Sequence, residues 1–138
     1  MNEHEILAAI GRIHRRSNKF IERELKRHQI HGIAPSHGDI LFQLYTKEFL
    51  TMNQLSCSID RDKSTITALV EKLVHLGYVN KGQDPQDGRV YRLSLTDKGR
   101  ELQPVFDKVS EALLAAVYEH FTADEKAQLM GLLNKIGL

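Results

Sequence analysis

Apolar residues near the start of the chain fall on one helical stripe, Ile6, Ile10, Ile13, Phe20 and Leu25, with Arg12, Arg15, Arg16 and Lys19 between them. The pattern predicts a long amphipathic helix that ends near His31-Gly32. About 25 helical residues would run roughly 37 Å, longer than the diameter of a domain this size, so part of the stripe must cover another surface. A second copy of the chain is the natural candidate.

Pro35-Ser36 followed by Asp39 predicts the next helix start, with the Ser36 hydroxyl as cap and Ile40, Leu41, Leu44 and Tyr45 as the buried face. Thr51 with Gln54 repeats the capping signature ahead of a short third helix carrying Leu55 and Ile59, which stops around Asp60-Arg61. Asp62 can cap a fourth, where Ile66, Leu69, Val70, Leu73 and Val74 recur at helical spacing until Gly77 closes it. After Tyr78-Val79 the period changes. A turn-rich stretch from Lys81 to Arg89 leads into Val90-Tyr91-Arg92-Leu93-Ser94-Leu95, an alternating strand with Tyr91, Leu93 and Leu95 on one face. Thr96 can cap a further helix with Leu102, Val105, Phe106, Val109, Leu113 and Val117 on its apolar side, kinked or delayed by Pro104. Thr122 with Glu125 opens the last helix, which carries Leu129, Met130, Leu133 and Ile136.

The resulting expectation is a mainly α fold with a small β-hairpin wing: one winged helix-turn-helix domain over residues 1–138. Residues 36–95 form its reading region, and residues 1–32 and 97–138 supply dimerisation helices. Length and the 41% hydrophobic and 27% charged content suit one ordinary globular domain. No apolar run approaches the roughly 18 residues of a membrane span, and the N-terminus carries acids where a signal peptide needs bases, so a cytoplasmic protein with no membrane partner is expected. Cys57 is the single cysteine, which excludes a disulfide framework or a multi-cysteine zinc site.

The formal charge of +1 conceals an uneven distribution. Residues 12–28 hold seven bases against two acids and residues 61–100 eight against five, while residues 101–138 hold three bases against six acids. A polyanion needs a basic footprint on one face only. The fourth helix opens with Lys63, Ser64, Thr65 and Thr67, short polar side chains and one cation at a helix N-terminus, which can lie against base edges in a major groove. A solvated helix start is the plainer reading of those residues alone. The hairpin that follows shifts the balance toward a DNA-reading winged helix.

Lys-Ser-Thr-Ile-Thr from Lys63, Leu-Gly-Tyr-Val from Leu76, Asp-Pro-Gln-Asp-Gly-Arg from Asp84 and Leu-Ser-Leu-Thr-Asp-Lys-Gly from Leu93 together resemble the signature of the MarR (multiple antibiotic resistance regulator) family. The resemblance spans nearly the whole chain, the wing block being its more specific part. It implies about six helices and a small sheet, a two-fold homodimer, and a transcriptional regulator that binds double-stranded DNA. By the same resemblance Lys63, Ser64, Thr65 and Thr67 would enter the major groove, Arg89 the minor groove, and Asp87 would brace the wing. Arg61, Lys81 and Arg92 are further candidates for phosphate contacts, which set register and salt dependence. Two positions depart from the pattern. Asp60 stands where the turn often has glycine, and Ala68 where relatives often carry a larger polar residue.

No cofactor is expected. Catalysis finds no support: there is no nucleophile elbow, phosphate-binding loop or zinc-protease motif, and Ser36-His37-Asp39 reads as a helix start. The acids from Asp84 onward do not keep calcium-loop spacing. A metal-responsive regulator using His28, His31 and His37 is one alternative, although histidines clustered in the fifth helix are missing apart from His120. A winged-helix module that binds protein is another, weakened by the polar face of the fourth helix. The family resemblance adds a small aromatic or anionic effector between dimer helices and reading head, for which Arg15, Arg16 and Lys19 are the candidates. The mechanism expected is a repressor dimer that sets two recognition helices on a palindromic operator, with effector control by head spacing.

Overall fold

A computed structural model describes residues 1–138. After a short 3-10 turn at Glu3–Glu5, the elements in chain order are α1 (Ile6–Arg27), α2 (Pro35–Tyr45), β1 (Leu50–Thr51), α3 (Met52–Ile59), α4 (Lys63–His75), β2 (Val79–Gln83), β3 (Tyr91–Leu95), α5 (Asp97–Glu101), α6 (Gln103–Val117) and α7 (Ala123–Leu133). The three strands form an antiparallel sheet in the order β1-β3-β2. No helix is long and apolar enough to cross a membrane.

Helix α1 ends four residues earlier than its sequence pattern predicts. Gln29 adopts the left-handed conformation with φ 61°, its N–H donates to the Lys26 carbonyl at 3.0 Å and that of Ile30 to Leu25 at 2.9 Å. This closes the helix as a glycine normally would. The chain then turns inward, and Ile30 and Ile33 are buried in the core.

The start of α2 also differs from expectation. Ala34 occupies the cap position and offers no side-chain acceptor, Pro35 holds the first turn, and Ser36 does not cap. Instead the Ala34 N–H donates to Nδ1 of the buried His37 at 2.9 Å. Burial, followed by the nearby Lys72 charge, holds the His37 imidazole below its ordinary pKa. In the unfolded chain this group takes a proton near pH 6.5. Because the folded value lies lower, its contribution to stability is complete above about pH 6.5 and is lost as the pH falls toward the folded value. A His37-dependent fall in melting temperature is therefore expected once the pH drops below about 6.5. His37→Gln, which keeps an acceptor but does not titrate, should flatten that step in calorimetry.

Seventeen buried side chains form one core cluster, centred on Leu41, Leu44, Leu55, Ile66, Val70, Leu73 and Leu93. It fills the space between α2, α3, α4 and the sheet, and Leu25 of α1 with Phe106 and Val109 of α6 tie the long helices to it. Val74, expected on the buried face of α4, is 37% exposed at the edge of that contact. Pro104 divides the expected fifth helix in two, with α6 restarting at the proline after a break at Leu102. The result is seven α-helices where the family resemblance implied about six.

The segment Leu95-Thr96-Asp97-Lys98-Gly99 anchors the far end of α4. Gly77, with φ 83°, closes α4 through N–H bonds from Tyr78 to Leu73 and from Gly77 to Val74. Thr96 accepts from the Gly99 N–H at 3.0 Å and donates its hydroxyl to the Gly77 carbonyl at 2.6 Å, while Lys98 donates to the Leu76 carbonyl at 2.9 Å. A β-carbon on Gly99 would overlap the Tyr78 carbonyl oxygen, which already accepts from the Thr96 N–H. Backbone cannot yield there as a flexible side chain would. Gly99→Ala is therefore expected to lower stability by about 1–3 kcal/mol in denaturant melts.

The other end of the molecule is left open. No residue of α7 is buried, and Ile6, Ile13, Met130, Leu132 and Leu133 are 43–61% exposed. Together with Ile10, Phe20, Val117, Tyr118 and Phe121, several of these line a groove of about 980 Å³ between α1 and the α6–α7 pair.

Candidate nucleic-acid interface

The N-terminus of α4 is built by the turn before it. Asp60 takes the left-handed conformation, φ 54° and ψ 50°, which aspartate tolerates where glycine would be unstrained. Arg61 is exposed in that turn, and Asp62 then caps α4. The Asp62 carboxylate accepts from the Thr65 N–H at 2.7 Å and from the Ser64 hydroxyl at 2.9 Å. Hydrogen bonds from Thr65, then Ser64, hold this exposed carboxyl below its ordinary range. One turn on, the Thr67 hydroxyl donates to the Lys63 carbonyl at 2.7 Å. Lys63 and Ser64 are exposed, and Thr65 and Thr67 half-buried, on a helix whose opposite side is fixed by Ile66, Val70 and Leu73.

The wing tip is held by two aspartates. Asp84 accepts from the N–H groups of Gln86 and Asp87 through one oxygen, at 2.8 and 3.2 Å, and from Arg92 Nε through the other at 2.9 Å. Asp87 accepts from the Arg89 N–H at 3.0 Å and faces the Arg89 guanidinium with both oxygens, at 3.2 and 3.3 Å. These contacts depress both carboxyls: the Gln86 N–H leads at Asp84 and the Arg89 side chain at Asp87. The Arg89 side chain is 90% exposed, so a rigid tip presents a cation outward. Such a group can enter a narrow minor groove, where the potential is most negative.

Arg92 has a different setting from Arg89. Its guanidinium is paired to Asp84 and lies 4.0 Å from the ring centre of Phe49, just ahead of β1. The chain Phe49, Arg92, Asp84 fastens the wing to the helix-turn-helix. Lys81 projects from β2 with its ammonium 4.9 Å from the Tyr91 ring centre and remains exposed. Sequence reasoning missed both Asp84 as a brace and Phe49 as a stacking partner. An aspartate two residues before a backbone donor is a local turn signal that can identify the first; nothing local marks the second.

The remaining candidates are scattered. Arg15, Arg16 and Lys19 are all exposed on α1, but only Arg16 lines the large groove. His28 and His31 are exposed, whereas His37 is buried with Nδ1 engaged by Ala34. No group of three or more His, Cys, Asp or Glu is placed to hold a metal ion, so the three histidines do not form a ligand set. His120 lies 3.8 Å from Glu119, and Cys57 is exposed on α3.

Comparison with known proteins agrees with this geometry. The MarR family model matches residues 33–91, from the core entry before α2 to the start of β3. The chain is 29% identical to the uncharacterized HTH-type transcriptional regulator YkoM of Bacillus subtilis strain 168, across 99% of this chain and 91% of that one. It superposes on a MarR protein from Peptoclostridium difficile with a TM-score of 0.87 and 27% identity, covering 98% of this chain and 86% of the other. The fold also matches that of a mutant MarR from Escherichia coli complexed with operator DNA, TM-score 0.82 at 21% identity, over 98% of both chains. With the capped α4, the braced wing and the flanking long helices in place, residues 33–91 carry the winged helix-turn-helix of the MarR family, and nearly the whole chain has the fold of MarR transcriptional regulators.

Proposed function

We propose that the protein works as a homodimer that represses transcription by occupying a palindromic operator, and that a small effector releases it. The observation that carries the dimer is the apolar groove of about 980 Å³ between α1 and the α6–α7 pair, whose lining a single chain leaves in water. Large apolar side chains gathered on one open face, here Ile6, Ile10, Ile13, Val117, Met130 and Leu133, mark an association surface where singly scattered ones would not. Filling the groove with the same face of a second chain is the self-complementary solution that two-fold symmetry provides.

In such a dimer each α4 enters a major groove with Lys63, Ser64, Thr65 and Thr67 toward the bases, and the two helices lie about one turn of DNA apart. Arg89 enters the flanking minor groove, held by Asp87. Arg61 and Lys81 contact phosphates, and Arg92 serves mainly to stiffen the wing. The E. coli relative crystallised with operator DNA has the same fold, which supports this placement. An anionic or aromatic effector would be drawn by Arg15, Arg16 and Lys19 and would lower DNA affinity by stabilising a head spacing that does not match the operator.

Sedimentation of the purified protein, alone and with a palindromic duplex, tests the assembly. A dimer that binds one duplex as a unit is expected. A monomer that binds DNA with single-site stoichiometry would refute the two-fold reading.

A further inference from the structure

Helix α4 runs Lys-Ser-Thr-Ile-Thr-Ala-Leu-Val-Glu-Lys-Leu-Val-His and contains no arginine, asparagine or glutamine. Arginine is the commonest bidentate reader of guanine, and asparagine and glutamine are the bidentate readers of adenine. Lys63 is the one flexible cation at its leading end. The hydroxyls are also constrained. Thr67 donates its only hydroxyl proton to the Lys63 carbonyl at 2.7 Å, and Ser64 donates its own to Asp62 at 2.9 Å. Outward they offer lone pairs, which accept hydrogen bonds but cannot donate them.

What α4 does offer is methyl groups. Ala68 stands one turn beyond Ser64 on the exposed side, opposite the buried Ile66, Val70 and Leu73. With the Thr67 hydroxyl tied back to the helix, its Cγ2 methyl is left as the group that distinguishes this position. The one base-edge feature in the major groove that matches a methyl is the C5 methyl of thymine.

We propose that α4 reads its half-site mainly through thymine methyls packed against Ala68 and Thr67, with the Ser64 oxygen accepting from an adenine or cytosine amino group. The preferred half-site core is then rich in A·T pairs, and Lys63 is the one cation at the leading end of α4 that can meet a guanine or a phosphate. This assignment rests on the proposed reading of α4 as the groove-entering helix.

Deoxyuridine tests it, since it keeps every hydrogen-bonding group of thymine and lacks only the methyl. Starting from the duplex that the full-length protein selects from a random pool, each thymine is replaced in turn and binding is measured by fluorescence anisotropy. One or two positions per half-site should lose about three- to fivefold in affinity. At one of them Ala68→Gly should bind thymine and uracil duplexes alike. Thr67→Val, which keeps the methyl and removes the hydroxyl, should retain the preferred sequence, and Thr67→Ser should lose the uracil discrimination at its position. The two Thr67 variants keep the test valid if glycine at position 68 loosens the helix.

An enriched motif whose uracil duplexes bind like the thymine ones would overturn the methyl assignment alone. A Thr67→Val protein that selects different bases would do the same, because the hydroxyl would then be the reader. A pool with no enriched motif would overturn the groove-reading role of α4 and the methyl assignment with it.

Discussion

The double substitution Ile10→Asp and Leu133→Asp is expected to convert the protein to a monomer and to weaken operator binding by about a hundredfold or more. Both side chains line the groove between α1 and the α6–α7 pair, 39% and 43% exposed in the single chain, and neither belongs to the core cluster. In a monomer the open groove lets water reach the new carboxylates, so they cost less there than in a closed interface. In a two-fold interface each would enter an apolar contact twice, at several kcal/mol per unpaired charge. Each separated reading head then engages one half-site without the effective concentration that its partner supplies. Circular dichroism should show an intact fold, and sedimentation should show half the mass of the parent assembly. A variant that remains dimeric would place the interface elsewhere.

Arg89→Ala should produce the second largest effect on DNA binding. Its side chain is 90% exposed and its hydrogen bonds go to Asp87, so folding should be unaffected. Removing it takes a cation from the minor groove and leaves the Asp87 carboxylate unpaired at the wing tip, facing phosphates. About 1–2 kcal/mol of binding free energy should be lost, on the order of tenfold. The slope of log affinity against log salt should fall by about 1. Arg89→Lys should sit between parent and alanine, since an ammonium keeps the charge but cannot meet both Asp87 oxygens as a planar fork does. An alanine variant that binds like the parent at every salt concentration would remove the wing from the interface.

The parts of this fold that depend on neighbouring residues were legible before the structure. Asp62 caps α4, Thr51 with Gln54 and Thr122 with Glu125 form reciprocal capping pairs, and Gly77 ends α4 with a positive φ, because each of these signals acts within four residues of itself. Asp60 likewise takes the left-handed conformation that its place in the turn demanded.

Features set by tertiary contact were not legible. β1 is two residues long, too short to show alternation, and exists because Leu50 and Thr51 meet Leu93 and Arg92 across the sheet. The stacking of Arg92 on Phe49 joins residues more than forty positions apart, which no local pattern can signal. Ser36 looked like the α2 cap, but Ala34 holds that position and His37 supplies the bond, so the register of the first turn is shifted. The same distinction holds at the site. Residue types on α4 were readable from spacing, whereas the direction of the Ser64 and Thr67 hydroxyls, which governs what they can offer a base, required coordinates.

Selection of random duplex DNA by the purified protein, with the salt dependence of the best site measured afterwards, shows whether the protein reads DNA as a two-fold dimer. A palindrome whose half-sites lie near one helical turn apart, bound more weakly as salt rises, is the predicted result. A pool without an enriched motif at low salt, or a single unrepeated half-site, would mean that the protein is not a two-fold DNA reader.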